Sequence, residues 1–565
     1  MTLRSLHRYE RIVLYCLILT MGCFRENHVD GNNEFSRQRA HKCEINVETR
    51  NIIHPHFGGV GFHVSQHVHP TNEAHLNQVI YKRWRELNPS FARVCNNWGR
   101  LNQAKLDTMA ERLACMKSTG TEIYTATFSP KDTKEGAERV AYAKQVVDNL
   151  EYLVREKKFD NIKYYCMTNE LSLGEWANLR KDLPKFKDYH QKLYEEFQAR
   201  NLNIKLLATD ASPIEFWNTI EWATQNMDDI TGVYGGHHYI NDYKLEDEEF
   251  YPWFLSKMKW GAGMAKSMRK NFILGEFGAK QDRGTINGVR NDACTYWDTH
   301  LEPMVGIQLS EAVIAALNGG IYALANWTFT DYPDSTRGRY YINKWGTFKW
   351  GVNEDYSTRA HYYAYGLLTK FFRGPASVFT VNSSDKLLRV AAVQHHRDKT
   401  ISIAIVNRRK ANVPVIVKIA GEPLTAAFRK YVYDPRNVPF HPFGDLQEPR
   451  CTVSVKDGRF SDKVSAGTLT VYTTAYDDKA PGPVKGLTVE NTPEGNHLLR
   501  WQANTEPDLC YYRIYRSEET DFLPGVQNQV GSTIATEFID ESIETEWEYK
   551  YKVLAVDQSG NASKY

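Results

Sequence analysis

The 565-residue sequence contains no CxxC pair and no His/Cys run at zinc-ligand spacing, which removes the common structural zinc modules and dithiol redox motifs. Its nine cysteines, at 16, 23, 43, 95, 115, 166, 294, 451 and 510, show no spacing that names a disulfide pair. Cys95 and Cys166 lie in apolar runs and read as small buried thiols. No GxGxxG or GxxxxGK[ST] stretch follows any strand-like run, so the phosphate-cradling turn of nucleotide-binding open sheets is missing. An excess of one charge is missing too. Against 70 Lys plus Arg stand 68 Asp plus Glu, with no basic block or acidic tail. That argues against nucleic acid or an anionic membrane as the main partner. "HPHFGGVGFHVSQHVHP" is rich in His but has no HExxH and no carboxylate at ligand spacing, so no metal and no cofactor are expected.

Aromatic residues, by contrast, are plentiful: 33 Tyr and 13 Trp bring the aromatic share to 13%. Such a surplus fills large cores or lines clefts that stack on the apolar faces of sugars. At the N-terminus Arg4, Arg8 and Arg11 precede an apolar run from Ile12 to Gly22, too short to span a bilayer and shaped like a secretory signal over residues 1–23. The Gly22-Cys23 step resembles the cleavage and lipidation site of bacterial lipoproteins, with Thr20 where that motif usually has Leu, which makes Cys23 a candidate lipid anchor. A secreted, periplasmic or cell-surface location follows as the expectation. Residues 24–42 read as a polar linker.

From residue 43 to 375, strand-like runs without polar alternation are each followed by a segment of helical periodicity. The runs are 57–64, 90–97, 121–128, 162–170, 204–212, 230–239, 272–279 and 320–329. Within the helical segment after 133, Val140, Ala143, Val147, Leu150 and Val154 mark one apolar stripe. Eight such units predict an α/β fold, a (β/α)8 TIM barrel, in preference to an open doubly wound sheet. Short alternating runs over 376–477 predict an all-β sandwich, to which "CEINVET" (43–49) adds an early strand. After the Pro- and Gly-containing linker "DDKAPGPVKGL", residues 478–565 carry Trp501, then Tyr511 and Tyr512, then Tyr549, Tyr551 and Val553. That pattern resembles a fibronectin type III domain, read as a spacer or accessory module. The sequence stops at Tyr565, where the last strand of such a domain would be forming.

Side chains at the C-terminal ends of barrel strands face the active site. This selects His63; Arg93, Asn96, Asn97 and Trp98; Asn169 and Glu170; Asp210; His237, His238 and Tyr239; Glu276; and Trp327. Carboxylates on the fourth and seventh strands face each other across a barrel mouth, the equipment for glycoside hydrolysis by an acid/base and a nucleophile. The acid has to keep its proton near neutral pH while the nucleophile loses it, so their surroundings must separate the two pKa values. A carboxylate straight after an apolar run is paired or functional if buried. The alternative for Asp210 is a cap on the following helix, and for Asn96 and Asn97 a turn. Trp98, Trp176, Tyr332, Trp345 and Trp350 are sugar platforms or core residues.

"TNE" closing the fourth strand and "GEFG" closing the seventh are joined by Arg93, the His-x-Tyr of the sixth strand and Trp327 of the eighth. Together they resemble glycoside hydrolase clan A, the retaining (β/α)8 hydrolases. The resemblance covers residues 50 to 475. It implies Glu170 as acid/base and Glu276 as nucleophile. It further implies that Asn169 binds the hydroxyl beside the reacting carbon, that Arg93 and Tyr239 steady the nucleophile, that His237 rather than His238 faces the site, and that Trp327 floors the reacting sugar. Leu171 follows Glu170 where many members have Pro. The implied function is retaining hydrolysis of a β-linked oligo- or polysaccharide. A catalytically silent carbohydrate-binding scaffold and a transglycosylase using the same residues are the alternatives. Oligomeric state is not set by the sequence.

Overall fold

The computed structural model describes residues 42–64, 73–127, 136–171, 177–241, 248–280, 300–333, 341–351, 355–421, 426–544 and 547–565. The expected signal, Cys23 and Trp176 lie outside the described residues. Eight strands pair in parallel in chain order: β1 (Cys43–Val64), β2 (Phe91–Asn96), β3 (Glu122–Thr127), β4 (Ile162–Cys166), β5 (Lys205–Ala211), β6 (Val233–Asn241), β7 (Phe272–Lys280) and β8 (Ala323–Asn326). β8 pairs back onto β1, from Gly59 opposite Ala323 to Phe62 opposite Asn326, which closes the barrel.

A helix follows each strand: α1 (Tyr81–Leu87), α2 (Gln103–Ser118), α3 (Gly136–Glu151), α4 (Leu183–Ala199), α5 (Asn218–Asn226), α6 (Phe250–Ser267), α7 (Glu302–Gly319) and α8 (Ala360–Phe371). Their starts have local causes. Asn102 and Asp182 accept from the backbone N–H of Lys105 and Lys185 at 3.1 and 3.2 Å, satisfying orphan donors of α2 and α4. The strands read as unbroken apolar runs because both faces are covered, by helices outside and by neighbouring strands inside. Phe91, Tyr124, Tyr164, Leu207, Val233, Ile273 and Ala323 fill the interior as one buried cluster. They come from the first halves of their strands. The second halves are left to hold polar groups at the opposite end.

All eight expected runs coincide with strands, two of them much shortened: β4 ends at Cys166, so Asn169 and Glu170 sit just beyond it, and β8 spans Ala323–Asn326, so Trp327 lies just past its end. Glu170 has a left-handed backbone, φ 60°, which no strand can continue.

The connection from β8 to α8 contains a small hairpin, β9 (Tyr332–Pro333) and β10 (Ile342–Asn343). After α8 come β11 (Arg373–Ser383), β12 (Leu388–His395), β13 (Ile401–Asn407), β14 (Val413–Ala420), β15 (Ala427–Tyr433), β16 (Cys451–Ser454), β17 (Arg459–Val464) and β18 (Leu469–Thr473). These neighbours pair antiparallel, and the first half of β1 joins them. Cys43–Glu48 lies parallel to β14, while Ile45–Glu48 runs antiparallel to β11. Register breaks between Glu48 and Gly59 bend the strand out of this sheet and into the barrel wall. "CEINVET" thus joins the sandwich strands as its alternation suggested, burying Ile45 and Val47 against Phe379, Ile403 and Val417.

The C-terminal strands are β19 (Lys485–Asn491), β20 (His497–Gln502), β21 (Leu509–Ser517), β22 (Gln529–Thr533), β23 (Glu537–Asp540) and β24 (Lys550–Asp557). They form two three-stranded antiparallel sheets, β19-β20-β23 and β22-β21-β24, around Leu499, Trp501, Tyr512, Ile514, Phe538 and Val553. Buried polar contacts join these strands to the barrel helix α1. The fully buried ammonium of Lys82 on α1 sits between Glu86 (2.7 Å) and Asp445, and Arg513 of β21 donates to the other oxygen of Asp445 at 2.8 Å. Gln558 donates to the carbonyl of Arg85 at 2.8 Å. Removing any one partner would leave a buried charge uncompensated, which holds these strands against the barrel.

Ile273 is fully enclosed in the barrel interior. Ile273→Ala is expected to lower the stability of the barrel by about 2–5 kcal/mol, read as a shift of the denaturant midpoint, with secondary structure by circular dichroism unchanged in buffer.

Candidate active site

Arg93 lies on the same face of β2 as Phe91 and Cys95, so the strand's two-residue period carries its side chain into the barrel. The side chain is fully buried. One guanidinium nitrogen, Nη1, donates to Glu276 Oε2 at 2.8 Å and approaches His63 Nδ1 at 3.2 Å. The other, Nη2, donates to Asp210 Oδ2 at 2.8 Å and to Asn169 Oδ1 at 2.7 Å. One cation therefore ties β2 to β1, β5, β7 and the turn after β4.

On β6 the same alternation decides between the two histidines. His237 points inward, with Nδ1 3.3 Å from Glu170 Oε1 and Nε2 2.8 Å from Asp210 Oδ1. His238 packs outward against the rings of Trp253 and Phe254 on α6. Tyr239, inward again, donates its hydroxyl to Glu276 Oε1. Glu170, His237 and Glu276 each place one nitrogen or oxygen within 4.8 Å of the others. Trp327 lies against His63, ring centroids 4.2 Å apart. The seven residues expected from the sequence, Arg93, Asn169, Glu170, His237, Tyr239, Glu276 and Trp327, thus come together at one end of the barrel.

Two backbone features aim these groups. Glu170 and Asp210 are both left-handed, φ 60° and 59°, a conformation that costs a non-glycine residue on the order of 1 kcal/mol or more and clusters at functional sites. Asp210 falls where the pairing of β5 with β6 slips between Thr209 and Ala211, a bulge that turns its carboxylate inward. Gly275, just before Glu276, gives the network its room. A Cβ there would stand 3.1 Å from Asp210 Oδ1, His237 Nε2 and Tyr124 Cε1.

Asp210 is the strand-end candidate whose alternative was a helix cap, and the structure places its carboxylate between Arg93 and His237. Its signal was the one that marked Glu170, a carboxylate closing an apolar run. The helix-cap alternative does not hold, because the short helix after it has no side-chain cap. Among the others, Asn97 N–H donates to Asn96 Oδ1 in a turn. Trp98 and Trp350 are core residues. Cys95 and Cys166 are buried thiols, each pushed up to about 12 by burial.

Electrostatics follow from these contacts. Burial disfavours a charged His237, but the carboxylates of Asp210 and Glu276 together, despite Arg93, lift the imidazole to about 9. Burial likewise disfavours the Asp210 anion, but His237 and Arg93 bring it down to about 2. For Glu170, burial is overcome by the hydrogen bond and charge of His237, which hold it below the ordinary value. For Glu276, burial wins over His237 and Arg93 and leaves it raised. The order these contacts set is therefore the reverse of the expected one. Burial and Glu276 keep Tyr239 protonated as a donor.

Glu170, His237 and Glu276 have ligand-type atoms close enough for a cation. The donor set does not suit one: Arg93 already supplies positive charge to Glu276, and a metal requires the neutral imidazole that Asp210 disfavours. A second trio, Asp477, Asp508 and Asp557, has the carboxylate of Asp557 occupied by Asn561 N and Nδ2 at 2.8 and 2.9 Å.

No protein-family profile matches the sequence, and no curated protein matches it. Solved structures do. The glycoside hydrolase family 30 subfamily 8 xylanase Xyn30A from Clostridium acetobutylicum is 14% identical and covers 76% of this chain and 99% of its own, with a TM-score of 0.52. The bacterial orthologue of human α-L-iduronidase is 14% identical, covers 93% of this chain and 98% of its own, and has a TM-score of 0.57. The family 51 arabinofuranosidase from Xanthomonas axonopodis pv. citri is 11% identical, covers 76% and 99%, and has a TM-score of 0.53. These likenesses establish the fold, a closed eight-stranded parallel barrel with further antiparallel sheets, as the one these glycoside hydrolases share.

The Asp210–His237 pair makes stability depend on pH in a defined direction. His237 is raised from 6.5 to about 9, so its contribution is complete below about 6.5 and is lost as pH rises through about 9. Asp210 is lowered from 3.8 to about 2, so its contribution is complete above about 4 and is lost as pH falls through about 2. Calorimetric melting temperature is expected to fall between pH 6.5 and 9.5, and Asp210→Asn to flatten that fall. An unchanged alkaline slope in the variant would exclude the pair as its source.

Proposed function

We propose that the protein is an enzyme, a retaining glycoside hydrolase that cleaves β-linked oligo- or polysaccharide by double displacement. Glu276 is the nucleophile and Glu170 the acid/base. The carrying observation is the approach of the two carboxylates: their nearest oxygens lie within 4.8 Å. That matches the separation of about 5 Å that lets one carboxylate attack directly, and leaves no room for the water held between groups about 6.5 Å or more apart. The solved structures sharing the fold are named as a xylanase, an arabinofuranosidase and an iduronidase orthologue, which supports a glycoside as substrate.

Glu276 accepts from Arg93 and Tyr239, two donors that hold its oxygens in place for attack on the anomeric carbon. Glu170 keeps 15% of its side chain exposed, so it faces the space where a leaving oxygen would sit. Asn169, held through its oxygen by Arg93, turns its amide N–H groups to the neighbouring sugar hydroxyl. The reaction needs a proton on Glu170 and none on Glu276, opposite to the order set by the protein's own contacts. Moving one proton between the paired carboxylates changes no net charge. A bound sugar drives that move by shielding Glu170 from water, which raises its pKa, and by setting an electron-poor carbon beside Glu276. Glu276 then attacks as the departing oxygen takes the proton of Glu170, and Glu170 afterwards deprotonates the water that releases the sugar.

We assign residues 43–375 to the catalytic barrel, 376–477 to a β-sandwich and 478–565 to a fibronectin type III-like domain. The last assignment is supported by its two three-stranded sheets packed on Trp501 and Tyr512. The basic-then-apolar start of the sequence supports export by a signal over 1–23 and a secreted, periplasmic or cell-surface enzyme, with Cys23 as a candidate lipid attachment.

Incubation with a panel of 2-fluoro glycosides is expected to attach one sugar to Glu276, found by mass spectrometry of the digested protein. Glu276→Gln should reduce turnover by at least about a thousand-fold. Glu170→Gln should spare substrates with strongly acidic leaving groups and cripple those without. Label on another residue, or turnover indifferent to Glu276→Gln, would sink the assignment. Sugar-to-sugar products at high acceptor concentration would identify a transglycosylase.

A further inference from the structure

The segment that leaves β8 and returns to α8 is held at its base by buried polar contacts. Asp331, fully buried, accepts from both terminal nitrogens of Arg359, at 2.9 and 2.7 Å. The same carboxylate accepts from the backbone N–H of Gly346 at 2.7 Å, and Arg359 also donates to the Gly346 carbonyl at 2.8 Å. Outgoing and returning strands are bonded directly, Thr347 N to Thr328 O at 3.1 Å and Asp331 N to Phe348 O at 3.0 Å. At Gly346 they pass so closely that a Cβ would stand 2.0 Å from the backbone nitrogen of Asp331.

This clamp presents two rings to the site. Tyr332 on β9 meets Trp327 edge-on, centroids 5.9 Å apart, and its hydroxyl accepts from Asn343 Nδ2 of β10 at 3.0 Å. Trp345 meets Tyr239, the phenol that donates to Glu276, edge-on at 5.5 Å. Trp98 and Trp350 are enclosed in the core, whereas Trp327, Tyr332 and Trp345 each keep part of their surface open. Large rings left partly open beside a buried polar network, on a backbone this firmly fixed, lose little freedom when something covers them.

We propose that Tyr332 and Trp345 are specificity-determining residues which, with Trp327, form an aromatic wall that receives the apolar C–H face of the sugar seated over Glu276, with Asp331 and Arg359 as the positioning pair that fixes the wall. The inference rests on the glycosidase reading and deepens it. Ring faces carry partial negative charge and attract the polarised C–H bonds of a sugar face. A hydroxyl projecting from that face would lose its water against an indole that offers no oxygen or nitrogen acceptor. The wall therefore favours rings whose stacked face carries only C–H bonds over epimers with an axial hydroxyl there.

The test is isothermal titration of the intact Glu276→Gln protein with xylo-, gluco-, manno- and galacto-configured oligosaccharides and aryl glycosides, alongside 2-fluoro labelling of the otherwise unaltered protein. Adding Trp345→Ala or Tyr332→Ala is expected to weaken the tightest sugar about ten-fold and to narrow its preference over the epimer. Trp345→Phe, which keeps a ring, should restore most of the loss, and melting temperatures close to the parent's show that the fold is kept. Unchanged affinity and ranking in both alanine variants overturn the wall, as does a Glu276→Gln protein that binds none of the sugars. Label on Glu276 with a ranking indifferent to Trp345→Ala leaves the glycosidase reading standing without the wall. Binding lost in Trp345→Ala, with no label on Glu276 from any glycoside, leaves the wall standing without the glycosidase.

Discussion

Arg93 is the constraint on which the site is built. A guanidinium removed from water inside a barrel is tolerable only if anions and acceptors surround it, and here they come from β5, β7 and the turn after β4. Each supporting strand is bound to present its oxygen at hydrogen-bond distance from one planar group, so the cation serves as a template for the spacing of the carboxylates around it. His237 adds a second positive charge. Two cations then face three carboxylates, Glu170, Asp210 and Glu276. A single proton shared by the two glutamates makes the cluster neutral, the state a buried site favours.

Much of this was legible in the sequence because barrels impose strong rules. Strands buried on both faces read as continuous apolar runs, and a polar residue at the end of such a run has to be explained. Arg93, Glu170 and Glu276 stand out in this way, whereas the two-residue period of β6 says only that His237 and His238 face opposite ways, and it is the His-x-Tyr resemblance that singles out His237. Reasoning from strand ends did not separate Tyr332 and Trp345 from Trp98 and Trp350, because the open or enclosed state of a ring depends on a long connection whose course pattern does not set. Asp210 stood among the candidates with a helix cap as its alternative, and the choice was not legible because a one-residue bulge reverses the direction of a side chain and leaves no mark in composition.

The order of protonation was illegible for another reason. The reading assigned one carboxylate to keep its proton and one to lose it. The protein's own contacts invert that order because His237 lies nearer Glu170 than Glu276, 3.3 against 4.0 Å. Distances of this kind arise from how β6 and β7 are registered, including the slip between Gly236 and His237. Leu171 is likewise understood only in place. Fully buried, it anchors the turn after Glu170 by packing.

β1 has a consequence for how the chain assembles. Its second half is the seam that closes the barrel against β8, and its first half is flanked by β11 and β14. All three partners are made hundreds of residues later. During synthesis the first of the described strands to emerge is therefore among the last of them to be fully paired, its contacts reaching far along the sequence. A nascent chain halted before β14 holds the apolar stripe of Ile45 and Val47 with a bare edge, the kind of strand that recruits other chains. That edge is closed only when the late strands arrive to pair with it.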